Sequence, residues 1–253
     1  MQDKLHIFPI DKVLKWMLSE EKEGRIFGYY NDLFFKPTVN DPFKVERYNQ
    51  PLTAPLGVAA GPHTQLSQNI VLSWLFGARY IELKTVQVLD EIEVAKPCID
   101  MYDEGYNCEW SQELKIEESL DQYIDAWILL HILSDKFEYD FETIFNISVG
   151  YDLKGIKSEK VDSYLRKMKD ASTEITNKIE KLKKIYPRIT DIKIPHEISN
   201  NVTLSTMHGC PPDEIEAIAK YLMNEYKFHT AVKLNPTILG KEKLSEILND
   251  KLG

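Results

Sequence analysis

Glycine is scarce in this chain, 11 of 253 residues, and cysteine scarcer, with three. Three scattered thiols, Cys98, Cys108 and Cys210, exclude a disulfide framework and a four-thiolate iron–sulfur cluster; all three read as free thiols. No Gly-x-Gly-x-x-Gly follows a strand-like run, which argues against a Rossmann dinucleotide site. No stretch approaches the roughly 18 unbroken apolar residues of a membrane span. A basic excess is missing as well. Against 31 Lys and Arg stand 40 Asp and Glu, a formal net charge of −9, the opposite of a nucleic-acid binder's footprint. Met1-Gln2-Asp3-Lys4-Leu5-His6 shows no basic region leading into an apolar core, so no secretory signal is expected and the cytoplasm is the default.

What is present is a globular composition, 43% hydrophobic and 28% charged, able to bury a sizeable core. The first helix is expected from Ile10 to about Glu23, opened by Asp11 and ended by Gly24. Residues 1–54 read as this helix followed by an aromatic, proline-rich arm, with a small hairpin or irregular arm in which Phe34-Phe35 and Phe43-Lys44-Val45 flank Asn40-Asp41-Pro42. From residue 55 to 253 the character changes. Five short apolar strands (56–60, 79–86, 143–149, 202–206, 230–235) alternate with helices near 70–76, 120–133, 159–185, 213–226 and 241–249. Such alternation predicts βαβ units and a parallel sheet of the (β/α)8 TIM-barrel type, incomplete because only about five units are visible. An open sheet of that kind would expose two strand edges and an apolar barrel interior. Charge is uneven: residues 82–125 hold three Lys against thirteen Asp and Glu, and residues 154–193 hold twelve basic against six acidic. The basic stretch reads as a solvated helix face, with a docking surface as the sharper alternative.

Polar residues gather where the strands end, the place α/β folds keep their sites. Lys84 and Lys233 each lie within an apolar strand and must meet an anion, a carbonyl or a cofactor, or simply pair with Glu82 or another carboxylate. Cys210 stands in Met-His-Gly-Cys-Pro-Pro just before a helix, where free N–H groups would stabilise a thiolate and His208 could share its proton; a structural cysteine at a helix entry fits equally. Asn107, Asn146 and Asn235 offer amides suited to the imide or lactam edge of a heterocycle, though Asn is also an ordinary turn residue. His63 and His208 lack a third ligand by spacing, and no metal is expected.

The stretches Pro-Leu-Gly-Val-Ala-Ala-Gly-Pro-His-Thr-Gln-Leu-Ser-Gln-Asn-Ile (55–70), Tyr-Ile-Glu-Leu-Lys-Thr-Val-Gln (80–87), Lys-Pro-Cys-Ile-Asp (96–100), Phe-Asn-Ile-Ser-Val-Gly-Tyr (145–151), Thr-Leu-Ser-Thr-Met-His-Gly-Cys-Pro-Pro (203–212) and Val-Lys-Leu-Asn-Pro-Thr (232–237) resemble the N-terminal part of the "putative selenate reductase" family. That family is similar in turn to dihydropyrimidine dehydrogenase and dihydroorotate dehydrogenase, whose catalytic domain is an FMN-binding barrel. The resemblance implies a flavin-dependent oxidoreductase acting on a pyrimidine- or purine-like ring. Ala59, Ala60 and Gly61 would lie against the flavin, Lys84, Thr85 and Lys233 would contact it, Asn107 and Asn146 would face the substrate, and Cys210 would handle the substrate proton. Family members continue through the rest of the barrel into FAD-, NADPH- and iron–sulfur-binding parts. The chain therefore reads as a fragment, a split product whose partner polypeptide supplies the rest, or a degenerate half-barrel. No iron–sulfur cluster is expected in it, and the loops that hold phosphate in barrels are expected to lie outside it.

Overall fold

The computed structural model describes residues 5–38, 40–89, 99–100, 106–107, 112–206, 209–234 and 239–252. Helix α1 (Ile10–Glu21) buries Ile10, Val13, Leu14 and Met17 on one face, as its spacing predicts. Two small antiparallel hairpins follow, β1 (Arg25–Ile26) with β2 (Tyr29–Tyr30) and β3 (Val45–Arg47) with β4 (Gln50–Leu52). Of the two expectations for the segment around 40–42, the irregular arm is what the described residues show, and the hairpins lie on either side of it. The tight turns fall instead at Phe27-Gly28 and Tyr48-Asn49, all four at positive φ, the conformation two-residue hairpin loops demand. Asp41 closes a local turn by accepting from the Thr38 N–H at 2.6 Å and hydroxyl at 2.8 Å.

The remaining elements run β5 (Gly57–Val58), α2 (Ser67–Leu75), β6 (Tyr80–Glu82), the short antiparallel pair β7 (Ile99–Asp100) and β8 (Tyr106–Asn107), α3 (Ile116–Phe137), β9 (Ile144–Val149), α4 (Leu153–Ile156), α5 (Glu159–Lys169), α6 (Ser172–Leu182), β10 (Asn201–Ser205), α7 (Ile215–Glu225), β11 (His229–Lys233) and α8 (Lys241–Ser245). The main sheet has the order β11-β10-β9-β6-β5, and every pairing in it is parallel. Successive βα units thus lie side by side, the winding of a barrel that has turned part of the way round.

Alternation along the strands divides the sheet into two faces. Ile81, Leu83, Phe145, Ile147, Val149, Val202 and Leu204 join the apolar core with Ile70, Val71 and Trp74 of α2 and the apolar residues of α3. Glu82, Asn146, Ser148, Asn201, Thr203 and Ser205 occupy the alternate positions and are also buried. The expected apolar interior is therefore wrong: the inward face is polar and bonded to itself. The hairpin β3–β4 closes its lower end. Tyr48 stacks on His229 with ring centroids 4.9 Å apart, Arg47 lies over Tyr80, and Gln50 donates to Asn200 at 2.8 Å.

Two buried charges hold the outer layer. Arg79, with no carboxylate partner among the described residues, donates to Thr53 at 2.7 Å and to the Trp74 carbonyl at 2.7 Å, and stacks on the Trp74 ring; burial pulls its guanidinium down to about 10. It thereby ties the end of α2 to the start of β6. Lys178 of α6 lies 2.6 Å from the buried Asp125 of α3 and 2.5 Å from Asp121. Elsewhere the Lys-rich segment pairs on the surface, Lys167 with Glu174 and Arg188 with Asp135, the solvated face expected of it.

Burial, despite Lys178, holds the Asp125 carboxyl up at about 7, above its value in an unfolded chain. The stability this group contributes is complete at pH 4 and is lost as pH rises through 7. Thermal melts should therefore show Asp125→Asn gaining on the parent protein between pH 5 and pH 8. A pH-independent difference would contradict the assignment.

Candidate functional site

The site is built where the strands end. After β5 the backbone of 59–61 turns into a 3-10 turn (Pro62–Thr64), fixed by the Gly61 N–H donating to Thr64 Oγ1 at 3.1 Å. The His63 ring packs on Gly61 so closely that a Cβ there would sit 2.5 Å from it, so any other residue would have to push the ring aside. Burial, with Lys84 nearby, holds His63 below the ordinary histidine range, which keeps it neutral at pH 7.

Beyond β6, the Leu83 N–H still donates to the Asn146 carbonyl at 2.9 Å, and Val86 bridges to Val149. Glu82 pairs with Asn146 and Val86 with Val149, four residues against three, so this stretch carries one extra residue that breaks the alternation, and Lys84 within it is buried. The Tyr123 hydroxyl fixes its carbonyl at 3.1 Å. Thr85 Oγ1 lies 2.7 Å from Ser148 Oγ. Gln87 and Gln112, both fully buried, exchange two 3.1 Å hydrogen bonds and so clamp the two ends of the acidic excursion beside Thr85. Nothing in the sequence singles out that glutamine pair.

Lys233 ends β11 and pairs with Glu82 at 2.7 Å. The same carboxylate accepts from the Ala60 N–H at 3.2 Å. Glu82 pairs with Asn146, which stands one step before the Ile147–Val202 pair, and Asn201 pairs with His229; Lys233 is four positions further along β11. The two charges are thus three strands apart, roughly 14 Å across a flat sheet with side chains standing perpendicular to it. Contact requires the sheet to curl towards this face and the strands to tilt, the geometry of a barrel. Of the two alternatives for the lysines, Lys233 takes the carboxylate pairing, although its side chain stays 45% exposed.

Asn146 is fully buried within the sheet. It donates to Asn201 Oδ1 at 2.7 Å and accepts from Thr203 Oγ1 at 2.7 Å, so its amide is engaged by the next strand. Of Asn107 only the backbone is described, and Asn235 and His208 lie outside the described residues. No group of three or more His, Cys, Asp or Glu fit to hold a metal occurs among the described residues.

Cys210 follows Gly209, which adopts φ +67° against the Tyr151 ring; Tyr151 itself sits at φ +114°, a strained point on the rim. The thiol is 8% exposed and packs with the apolar core. A Pro-initiated 3-10 turn (Pro212–Glu214) separates it from α7, so the expected thiolate stabilisation at a helix N-terminus does not arise. Burial, and after it the Glu214 carboxylate, push the Cys210 thiol up instead. Glu214 is itself fixed by the Leu153 N–H at 2.6 Å.

These features define a (β/α)-barrel domain with a polar, internally bonded concave face and a rim bearing two lysines, a histidine and a protonated thiol. The chain belongs to the family of the N-terminal TIM-barrel domain of oxidoreductase YgfK, which it matches over residues 27–253. It is 41% identical over 272 aligned positions to the protein named putative oxidoreductase YgfK in Escherichia coli strain K12, and to the same degree to its namesake in Escherichia coli O157:H7. The alignment covers 98% of this chain and 26% of each relative, so the chain spans about a quarter of their length.

Peptide-resolved alkylation tests the thiol. At pH 7.5, iodoacetamide should modify Cys210 at least about tenfold more slowly than an unstructured cysteine peptide, and Glu214→Gln should quicken it. Rapid labelling of Cys210 with no response to Glu214→Gln would contradict the geometry.

Proposed function

We propose that this domain is the ring-binding part of a cytoplasmic, FMN-dependent oxidoreductase that acts on a planar, pyrimidine- or purine-like heterocycle. One observation carries the reading: the Ala60 N–H and the Lys233 ammonium converge on one point of the concave face, the Glu82 carboxylate. Two donors and a positive charge aimed at one small space suit the carbonyl edge of a flavin ring. When bound, the flavin supplies the hydride chemistry. The chain's own residues do the rest. The backbone of Ala59, Ala60 and Gly61 backs the ring, Lys84 and Lys233 face its electron-rich edge, and Thr85 holds Lys84's neighbourhood through Ser148. Asn107 and Asn235 remain our candidates for the substrate edge, whereas Asn146 positions β10 and reaches substrate only at the cost of its bonds to Asn201 and Thr203. A thiol pushed up by burial stays protonated, so Cys210 serves as a proton donor in the reducing direction. A planar ring suits this donor set better than an oxyanion, and we do not assign selenate as substrate.

The matching relatives are about four times as long as the aligned region, and we place the flavin phosphate and the electron donor, through FAD, NADPH and iron–sulfur groups, in parts corresponding to the remainder. A phosphate held by several charge-assisted bonds, each about 1.5–3 kcal/mol, accounts for on the order of 10²–10⁴-fold in affinity. Fluorescence titration should show FMN binding weakly to the 253-residue chain. It should bind at least about 10²-fold more tightly when the segment that follows the matched region in the Escherichia coli relative is joined on. Lys84→Met should weaken both. A joined protein that binds no flavin, or that ignores Lys84→Met, would overturn the proposal.

A further inference from the structure

Glu82 enters the sequence reading only as something a lysine might pair with, yet it is the group on which the site closes. It is 8% exposed, ends β6 on the concave face, and bonds the backbone after β5 on one edge of the sheet and the end of β11 on the other. Its two oxygens are divided: Oε2 accepts from the Ala60 N–H at 3.2 Å, and Oε1 meets Lys233 Nζ at 2.7 Å. Both donors are groups that the proposed function assigns to the flavin edge. We propose that Glu82 is the positioning residue of this site: its carboxylate holds Ala60 and Lys233 in place and occupies the position that a planar acceptor edge of the ligand takes over. This rests on the proposed function for the ligand's identity, but the placement of the two donors stands without it.

A carboxylate and the N–C=O edge of a lactam or imide are both planar and both present acceptor atoms a few ångströms apart. A pair of donors that satisfies one can satisfy the other. In the ligand-free chain the buried carboxylate of Glu82 would itself be costly without partners, and the half-buried Ala60 N–H and the partly exposed Lys233 remove that cost. Entry of a ring then requires Glu82 to give up at least one of the two, so the residue sets both the geometry of the site and the penalty for filling it.

Three proteins separate the possibilities: the parent, Glu82→Ala and Glu82→Gln. Removing the carboxylate should lower the melting temperature of Glu82→Ala by several degrees. Sodium formate at tens of millimolar, a free carboxylate of the same width, should recover at least half of that loss, whereas sodium chloride should recover none. Glu82→Gln keeps the shape and an acceptor for Ala60 but not the charge, so its melting temperature should stay near the parent's. Lumiflavin, which has the flavin ring without the phosphate, should bind Glu82→Gln about tenfold more tightly than the parent, since a neutral amide competes less for Lys233. A purely structural glutamate would not produce that split. If formate rescues but lumiflavin binds none of the three, the positioning role holds and the flavin reading falls. If lumiflavin binds the parent and Glu82→Gln alike and formate rescues nothing, the flavin reading survives and the positioning proposal is overturned.

Discussion

A sheet with one apolar and one polar face must satisfy the polar face from within, and here that requirement is met by a carboxylate that reaches from the second strand of the main sheet to its last. Glu82 links β5, through the Ala60 N–H, to Lys233 at the end of β11. The contact exists only if the sheet curls and its strands tilt, so it reports the barrel geometry and stabilises it together. Around it, Asn146, Asn201 and Thr203 form a hydrogen-bonded layer between β9 and β10, and Thr85 with Ser148 forms the next layer towards the rim. A half-satisfied layer of this kind would cost more than an apolar one, which is why each member has a partner.

The convex side solves the opposite problem. Its helices cover the apolar face and leave a few charges buried among themselves, and each is handled differently. Arg79 is met by carbonyls and aromatic faces. Lys178 is met by Asp125 and Asp121. His131 simply loses its proton: burial pulls it down to about 4, and its ring packs against Phe141 and Trp127. These interactions fix α2, α3 and α6 on the sheet and so hold the strand ends, and with them the site, in register. Among the described residues no helix is long and apolar enough to cross a membrane.

The parallel βα order was legible because each strand is a short apolar run followed by an amphipathic helix, a local signal. The division of the sheet into faces was also written there. Glu82, Asn146 and Ser148 alternate with Ile81, Phe145 and Ile147, but an apolar run masks the polar residues within it. The two hairpins of the arm were not legible, because Asn40-Asp41-Pro42 is the stronger turn signal. The observed turns use Phe27 and Tyr48, residues that seldom adopt positive φ and do so here within the packed arm. Lys84 and Lys233 were found because a charge in an apolar strand needs a reason. What no local pattern carries is the distance between Glu82 and Lys233, or the exchange between Gln87 and Gln112, since both depend on chain segments that meet only after folding. Spacing left the Cys210 thiol open between two readings for a related reason: whether the helix begins close enough to help it, or the core close enough to cover it, depends on the folded chain.

Coupling of Glu82 to Lys233 across the curled sheet can be measured by a double-mutant cycle. Urea unfolding of the parent, Glu82→Gln, Lys233→Met and the double variant gives the coupling energy without reference to any ligand. The interaction should be favourable by at least about 0.5 kcal/mol, modest because Lys233 remains partly exposed. Effects that add to within about 0.3 kcal/mol would show that the two side chains do not meet in solution and would contradict the account.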